Sequence, residues 1–131
     1  MGRIAPLLIA GAIAAAPLTN VRAQFTVPMQ ATQPDPATLF TNQCGTCHSV
    51  KPGDMPRQGP NLFGVFGRKA GSFPGFRYSP GFAQAGFVWD EPHLDAYLTN
   101  PQAVIKGGVM AYRQANPETR NTIIAWLREQ H

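Results

Sequence analysis

Cys44-Gly45-Thr46-Cys47-His48 places two thiols three residues apart, with an imidazole directly after the second. In a helical turn, each thiol can form a thioether with one vinyl group of a haem. The imidazole then lies under the porphyrin, where it can bind the iron. This spacing is the attachment motif of a c-type haem. We therefore expect Cys44 and Cys47 to hold one covalent haem c and His48 to be an axial ligand of its iron.

Other uses of a Cys-x-x-Cys pair fit the sequence less well. A redox disulfide with this spacing is typical of a βαβ pattern, which does not surround the motif. A structural zinc ion usually takes four Cys or His ligands, and no second ligand pair lies near His93 or His131. A disulfide between Cys44 and Cys47 would close a loop too short to add much stability.

Residues 1–23 have the layout of a secretory signal peptide: a basic start, a mostly apolar stretch over residues 4–17, and the ending Val21-Arg22-Ala23. Two prolines interrupt the apolar stretch, which is already short for a membrane span, so we expect cleavage after Ala23 and no stable membrane insertion. An uncleaved anchor is the alternative. Bacterial c-type haem is attached outside the cytoplasm, which favours the periplasm over a lumenal or intermembrane location.

Cleavage would leave about 108 residues, enough for one domain, and would lower the formal net charge from +4 to +2. The remaining charges are scattered and form no basic stripe, so no nucleic-acid partner is expected. Residues 24–34 are polar and contain proline, which predicts a flexible N-terminal arm before a domain over residues 35–131. The 13 glycines and 13 prolines of the chain leave room for a large apolar cofactor at the centre of that domain.

Three main helices are predicted, each opened by an Asx residue and a proline: at Asp35-Pro36, at Asp90-Glu91-Pro92 and at Asn116-Pro117. An Asx side chain accepts hydrogen bonds from free backbone N–H groups, and proline is tolerated in a first helical turn. Apolar residues then recur at intervals of three and four. Residues 59–87 are rich in glycine, proline and aromatic residues without a strand pattern, so we expect ordered loops wrapped around the cofactor. The fold class is therefore all-α.

The residues alone leave the second axial ligand open between a methionine, a histidine and no protein ligand. Met110 lies in a glycine-rich loop, Lys106-Gly107-Gly108-Val109-Met110, which could bring a thioether to iron without steric hindrance. In isolation such a methionine more often fills a gap in a core. The other candidates are Met29 in the predicted arm, Met55 close behind the haem motif, His93 near a helix start and expected to face solvent, and the terminal His131.

Further segments match one known family in residue type, order and spacing: Gly59-Pro60-Asn61-Leu62, Phe66-Gly67-Arg68-Lys69, Pro74-Gly75-Phe76 with Tyr78, Trp89, Tyr97-Leu98, Asn100-Pro101, Met110, and residues 118–127. With the haem motif, they resemble class I cytochromes c of the mitochondrial-type and bacterial cytochrome c2 branch. The resemblance covers residues 36–127. It implies a small cytochrome c fold, in which three main helices and long loops surround one haem.

The resemblance also implies roles for single residues on the two faces of the haem. Cys44 and Cys47 would carry the thioethers, and His48 and Met110 would be the two axial ligands. The carbonyl of Pro60 would accept the other imidazole N–H of His48, which fixes the ring and tunes its basicity.

At the polar end of the haem, the resemblance implies that Tyr78 and Trp89 donate hydrogen bonds to a buried propionate. Arg68 would lie nearby and offset the charge of that propionate. Tyr97 would approach the sulfur of Met110, with a plain core position as its alternative.

The chain departs from this family at several positions. Gly108 stands where a hydroxyl residue is usual, and Phe82 where the mitochondrial branch commonly has a polar residue. The chain has only three lysines, Lys51, Lys69 and Lys106, so the ring of lysines around the haem edge is absent. We therefore expect the ligands to be kept, while the partners can differ from those of mitochondrial proteins.

The resemblance implies a soluble, monomeric one-electron carrier and not an enzyme, because a six-coordinate iron has no free site for a substrate. Expected partners are larger redox proteins of a respiratory chain: a cytochrome bc1-type donor, a terminal oxidase or a periplasmic dehydrogenase, contacted transiently. The alternative is a haem enzyme or sensor, with peroxidase activity or gas binding, in which the bond from Met110 is labile. The flexible Gly107-Gly108 pair is the feature that favours this alternative.

Overall fold

The computed structural model describes residue 2 and residues 34–131. Apart from residue 2, the predicted signal peptide and nearly all of the predicted arm therefore lie outside the described residues. Within residues 34–131 the fold contains helices and loops but no strand; its only β-bridge pairs Lys69 with Val88. The prediction of an all-α fold is confirmed. The helices are α1 Pro36–Gln43, a 3-10 helix Pro80–Gln84, α2 Glu91–Thr99, α3 Pro101–Val104 and α4 Pro117–Arg128.

The three predicted helices begin where their Asx residues indicated. The carboxylate of Asp35 accepts hydrogen bonds from two backbone N–H groups of α1, both at 3.1 Å. Asp90 accepts one in α2 at 2.9 Å, and Asn116 accepts two in α4 at 2.8 and 3.2 Å. These bonds satisfy N–H groups that have no partner inside the helix.

The short helix α3 was not predicted. Asn100 ends α2, and Pro101 starts a new helix of four residues without a side-chain cap. Four residues are too few to show a helical period, so the pattern gave no signal. Because α3 directly precedes the loop of residues 105–110, it fixes the point from which that loop departs.

The core lies where the terminal helices cross. Phe40 in α1 and Trp126 in α4 bring their ring centroids to 4.8 Å, and Ile123 and Ile124 of α4 are 0% and 1% exposed. Helix α2 also packs against α4. Burial of these apolar side chains is the main stabilising contribution, and it anchors the C-terminal end of α1, which leads into Cys44.

The long loop is ordered, as predicted, although it holds no strand. Residues 67–70 lie against residues 87–89, with Gly67 N donating to Trp89 O at 2.8 Å, Trp89 N to Arg68 O at 2.9 Å and Ala70 N to Phe87 O at 3.0 Å. The remaining loop residues therefore have a fixed path between α1 and α2. In residues 34–131, every helix is too short or too polar to cross a membrane.

Candidate functional site

A cavity of about 510 Å³ opens in the centre of the domain. It is lined by the turn after α1, by the long loop, by α2 and α4, and by the segment after α3. Every residue that the sequence predicts to hold the cofactor lines it: Cys44, Cys47, His48, Pro60, Arg68, Tyr78, Trp89, Tyr97 and Met110. The structure thus brings together residues that are up to 66 positions apart in the chain.

The haem motif occupies a turn that continues α1. The carbonyl of Cys44 accepts hydrogen bonds from Cys47 N at 3.0 Å and His48 N at 2.9 Å, so the three side chains share one turn. Both thiols are free and partly buried. Burial raises the pKa of the Cys44 thiol to about 11, and the charge of Cys47 adds to the effect. Before alkylation the Cys44 thiol is therefore protonated at neutral pH.

His48 is held by the loop that follows it. Its Nδ1 lies 2.8 Å from Pro60 O, and because a carbonyl only accepts, Nδ1 carries the hydrogen and leaves the lone pair on Nε2. Burial lowers the pKa of His48, while the hydrogen bond to Pro60 acts in the opposite direction. The neutral imidazole that results is the form that binds a metal ion.

Gly59 supplies the backbone surface on which this imidazole rests. A Cβ atom at Gly59 would stand 2.2 Å from Cε1 and 2.6 Å from Nδ1 of His48. Gly59 N donates to Cys47 O at 2.9 Å, which holds that surface in place. Any larger residue at position 59 would therefore displace the imidazole.

Arg68 and Tyr78 form a polar end of the cavity. Arg68 donates to Asn61 O at 2.9 Å and to Phe63 O at 3.0 Å, and its guanidinium lies over the ring of Phe73 at 5.0 Å. Burial lowers the pKa of Arg68, an effect that Tyr78 opposes. Burial also raises the pKa of Tyr78, whose hydroxyl accepts from Phe73 N at 3.2 Å and keeps its own hydrogen for another partner.

Trp89 and Tyr97 extend this lining with aromatic rings. Their ring centroids lie 5.0 Å apart, and both side chains are buried. Neither the Trp89 indole N–H nor the Tyr97 hydroxyl has a hydrogen-bond partner in residues 34–131. Phe82 packs between Tyr78, at 4.8 Å, and Tyr97, at 6.4 Å, so the position that departs from the family is filled by an apolar ring.

The other candidate ligands among the described residues do not line the cavity. Met55 is 78% exposed, and His131 lies at the exposed C-terminus. His93 is partly buried, where the sequence predicted a solvent-facing position; its ring stacks on Phe87 at 4.3 Å, and its Nδ1 lies 2.5 Å from Asp90 Oδ1. Met29 lies outside the described residues. Among residues 34–131 no cluster of three or more His, Cys, Asp or Glu could hold a metal ion.

Several cytochromes are similar to this chain over most of their length. A cytochrome c2 from Rhodomicrobium vannielii is 47% identical over 90 residues, which cover 68% of this chain and 72% of the relative. A cytochrome c from Arabidopsis thaliana is 40% identical over 95 residues, 72% and 85% of the two chains. A cytochrome c2 iso-2 from Magnetospirillum fulvum is 44% identical over 86 residues, 65% and 88%. No protein-family model matches the chain.

The chain belongs to the cytochrome c family. Cytochromes c carry one covalently attached haem c, and they transfer electrons to and from redox partners rather than act as enzymes. In this cytochrome c, Cys44 and Cys47 fit the Cys-x-x-Cys-His attachment.

The cavity of this cytochrome c fits a haem in chemistry as well as in size. A haem has an apolar macrocycle with two carboxylates on one edge. The described residues of the lining are mostly apolar, and the charged ones among them are Arg68 and Arg77. Ser79, which sequence analysis missed, also lines the cavity. Its Oγ is buried without a hydrogen-bond partner among the described residues, and a carboxylate would satisfy it. A serine in a loop carries no sequence signal of its own.

Proposed function

We propose that this cytochrome c is a one-electron carrier whose iron is bound by His48 and Met110. The observation that carries the proposal is that both side chains line one cavity, while the hydrogen bond from Nδ1 to Pro60 leaves Nε2 of His48 free to ligate. Bound haem c would supply the Fe(III)/Fe(II) couple, with the relatively high potential that His/Met ligation favours.

The residues around His48 keep one ligand fixed through both oxidation states. Pro60 O orients the imidazole and makes it a better donor to a metal ion. Gly59 lies against the ring and prevents it from turning. A carrier needs such a fixed geometry because movement of a ligand between oxidation states slows electron transfer.

The polar end of the cavity would bind the haem propionates. Tyr78 and Trp89 each have a hydrogen atom to donate there, and Ser79 has an unpartnered hydroxyl. Arg68 would offset part of the propionate charge without leaving its two carbonyl partners. We assign Tyr97, whose hydroxyl has no partner in residues 34–131, to the contact with the sulfur of Met110.

The ligation is tested by absorption spectra of the exported holoprotein, oxidised and reduced, for the wild type, Met110→Ala and the control Met55→Ala. Met55 is 78% exposed and does not line the cavity, so Met55→Ala removes a thioether without changing the site. We expect the weak long-wavelength sulfur–iron band in the wild type and in Met55→Ala, and its loss in Met110→Ala. A band that persists in Met110→Ala would remove Met110 from the iron.

We further propose that residues 1–23 are a signal peptide, that residues 24–34 form an arm, and that the domain of residues 35–131 works in the periplasm. The sequence layout supports this, and the periplasm is a compartment in which c-type haem is attached. N-terminal sequencing of the holoprotein from a periplasmic fraction tests it. We expect Gln24 as the first residue, and a chain that starts at Met1 would contradict cleavage.

The proposed partners are a cytochrome bc1-type donor, a terminal oxidase or a periplasmic dehydrogenase, each met in a transient complex by a monomer in a respiratory chain. The three lysines of the chain support weak electrostatic attraction at most. Stopped-flow reduction of the oxidised holoprotein by each donor class, at low and high salt, tests this. We expect the second-order rate constant to fall little with salt; a fall of more than about tenfold would indicate strong charge steering instead.

A further inference from the structure

The segment of residues 109–113, which carries Met110, is held in an unusual way. Gly108 N donates to Ile105 O at 3.0 Å before the segment, and Gln114 N donates to Leu98 O at 2.8 Å after it. Between these two points, residues 109–113 make no backbone–backbone hydrogen bond with any described residue. Val109 within the segment is 81% exposed, whereas Met110 and Tyr112 are partly buried and pack against the core.

The side chain of Gln102 supplies hydrogen bonds that the backbone of this segment does not make. We call such side-chain hydrogen bonds ties. The Gln102 side chain projects from α3, is partly buried, and its Nε2 donates to Gly108 O and, at 3.3 Å, to Met110 O. One amide group therefore binds two carbonyls, one of which belongs to the proposed iron ligand. Pro101, the neighbour of Gln102, is fully buried, so this donor stands on a fixed support.

The side chain of Gln43 supplies a second tie on the other side of Met110. Its Oε1 accepts a hydrogen bond from the Tyr112 hydroxyl at 2.5 Å and another from Gln114 Nε2 at 3.2 Å. Gln114 Nε2 also lies 3.1 Å from the Tyr112 hydroxyl, which closes a triangle of three side chains. Gln43 is the last residue of α1 and precedes Cys44, so this triangle joins the Met110 segment to the haem motif.

We propose that Gln102 and Gln43 are positioning residues that keep the Met110 segment closed over the haem cavity, in place of backbone hydrogen bonds. The inference rests on the proposed role of Met110 as the second axial ligand. The ties consist of neutral amides and one hydroxyl. The opening of the segment is therefore insensitive to ionic strength, unlike the opening of a segment held by ion pairs.

The test uses the oxidised holoprotein and the variants Gln102→Leu, Gln43→Leu and Gln84→Leu. Leucine keeps most of the side-chain volume and removes the amide. Gln84 is the matched control because it is exposed and its side chain makes no hydrogen bond with the described residues. Three quantities are measured: the rate of cyanide binding at low and high salt, the hydrogen exchange of the Gly108 and Gln114 amides, whose backbone hydrogen bonds flank the segment, and the free energy of unfolding.

We expect Gln102→Leu to speed cyanide binding about tenfold and Gln43→Leu about threefold, because a buried hydrogen bond contributes more than an exposed one. Gln84→Leu should match the wild type. Exchange at Gly108 should rise in Gln102→Leu, and exchange at Gln114 in Gln43→Leu, by more than exchange at Ile123 and Ile124 of the core. Salt should leave the cyanide rates unchanged.

Two results would overturn the inference. One is exchange at Gly108 that is the same in Gln102→Leu and in Gln84→Leu. The other is a rise in exchange that is equal across the whole domain, since the glutamines would then contribute only to general stability. Hydrogen exchange reports the ties even if Met110→Ala shows that Met110 is not the ligand, so a failure of the ligation and a failure of the ties are distinguishable.

Discussion

The two sides of the haem cavity are built differently. On the His48 side, the carbonyls of Cys44, Cys47 and Ser49 all accept backbone N–H groups, at 2.8 to 3.0 Å, and these bonds tie the haem motif to itself and to residues 59 and 62. On the Met110 side, residues 109–113 have no such bond within the described chain. Backbone hydrogen bonds therefore hold the segments around the His48 imidazole, whereas side-chain hydrogen bonds hold the segment that carries the Met110 thioether.

This difference indicates which of the two proposed ligands is lost first. Backbone ties on the His48 side break only when the loop of residues 59–62 leaves the motif, which requires much of the domain to unfold. The side-chain ties of Gln102 and Gln43 can break one at a time while the core stays folded. Local opening of this kind needs less free energy than global unfolding. We therefore expect the Met110 side to open at lower temperature and lower denaturant concentration.

The largest effect is expected for Phe40→Ala, which weakens the support of the His48 side. Phe40 is 4% exposed and packs on Trp126, and α1 leads directly into Cys44. The loss of this ring should lower the free energy of unfolding by about 3–5 kcal/mol. Denaturant titration measures it, with the exposed Asn42→Ala of the same helix as a control that should change by less than about 0.5 kcal/mol. A loss below about 1 kcal/mol for Phe40→Ala would show that the helix crossing is not the main anchor.

The next effect is expected for Gly59→Ala, which places a Cβ where the His48 ring lies. Overpacking of this kind should cost about 1–3 kcal/mol of unfolding free energy and distort the axial geometry of the haem. Gly86→Ala is the matched control, since a Cβ there meets nothing within 4 Å. Unfolding curves and the spectrum of the oxidised holoprotein report both effects. If Gly59→Ala and Gly86→Ala have the same free energy of unfolding and the same spectrum, the close approach of Gly59 to the His48 ring does not affect stability or axial geometry.

The His48 side was also the easier one to predict from sequence. Its parts are local: the five-residue motif, the Asp35-Pro36 helix start and the glycine–proline pair at 59 and 60 all carry their signal within a few residues. Helix starts could be predicted because an Asx cap acts on the next three residues. The polar end, with Tyr78 and Trp89, was found through the resemblance to the family rather than from any local pattern.

The Met110 side was harder to predict for a physical reason. Met110 itself was a candidate, but its support comes from glutamines at positions 43, 102 and 114, and a glutamine amide binds in any direction that packing offers. Nothing in the residue type marks which glutamine has a partner. The helix that carries Gln102 was also missed, since four residues show no period. Ser79 was missed because its proposed role depends on the absence of a hydrogen-bond partner for its buried hydroxyl among the described residues, which the sequence does not show.

An effect of similar size, but confined to the Met110 side, is expected for Gly81→Ala. A Cβ at Gly81 would stand 2.0 Å from Lys106 O, so the 3-10 helix and the loop before Met110 must move apart. The contact is with a backbone carbonyl, and Ile105 Cγ2, at 3.1 Å, belongs to a residue that is 2% exposed, so the cost in unfolding free energy should be about 1–3 kcal/mol. The sulfur–iron band should disappear at lower temperature than in the wild type and in Gly86→Ala. If the band and the whole fold are lost at the same temperature in Gly81→Ala, the effect is not local.

The smallest effect at neutral pH is expected for Tyr97→Phe, because the only contact proposed for the Tyr97 hydroxyl among residues 34–131 is with the sulfur of Met110, which is a weak hydrogen-bond acceptor. The difference should appear at alkaline pH. Burial raises the pKa of Tyr97 to about 12, and the charge of Tyr78 adds to this. The pKa of a tyrosine in an unfolded chain is about 10. Between these values the folded state keeps the proton and the unfolded state loses it, so the free energy of unfolding falls as pH rises through this window.

Tyr97→Phe should remove this contribution, and its stability should decline less steeply than that of the wild type between about pH 10 and about pH 12. Below about pH 9 the two curves should run in parallel. Denaturant titrations at closely spaced pH values, with the sulfur–iron band recorded at each, separate the two sides of the cavity. If the band is lost before the fold in both proteins, the Met110 side opens for a reason other than the titration of Tyr97, as its side-chain ties predict. If Tyr97→Phe keeps the sulfur–iron band to higher pH, ionisation of the Tyr97 phenol is coupled to the loss of the Met110 thioether. The pH dependence of the band then arises on the Met110 side of the cavity.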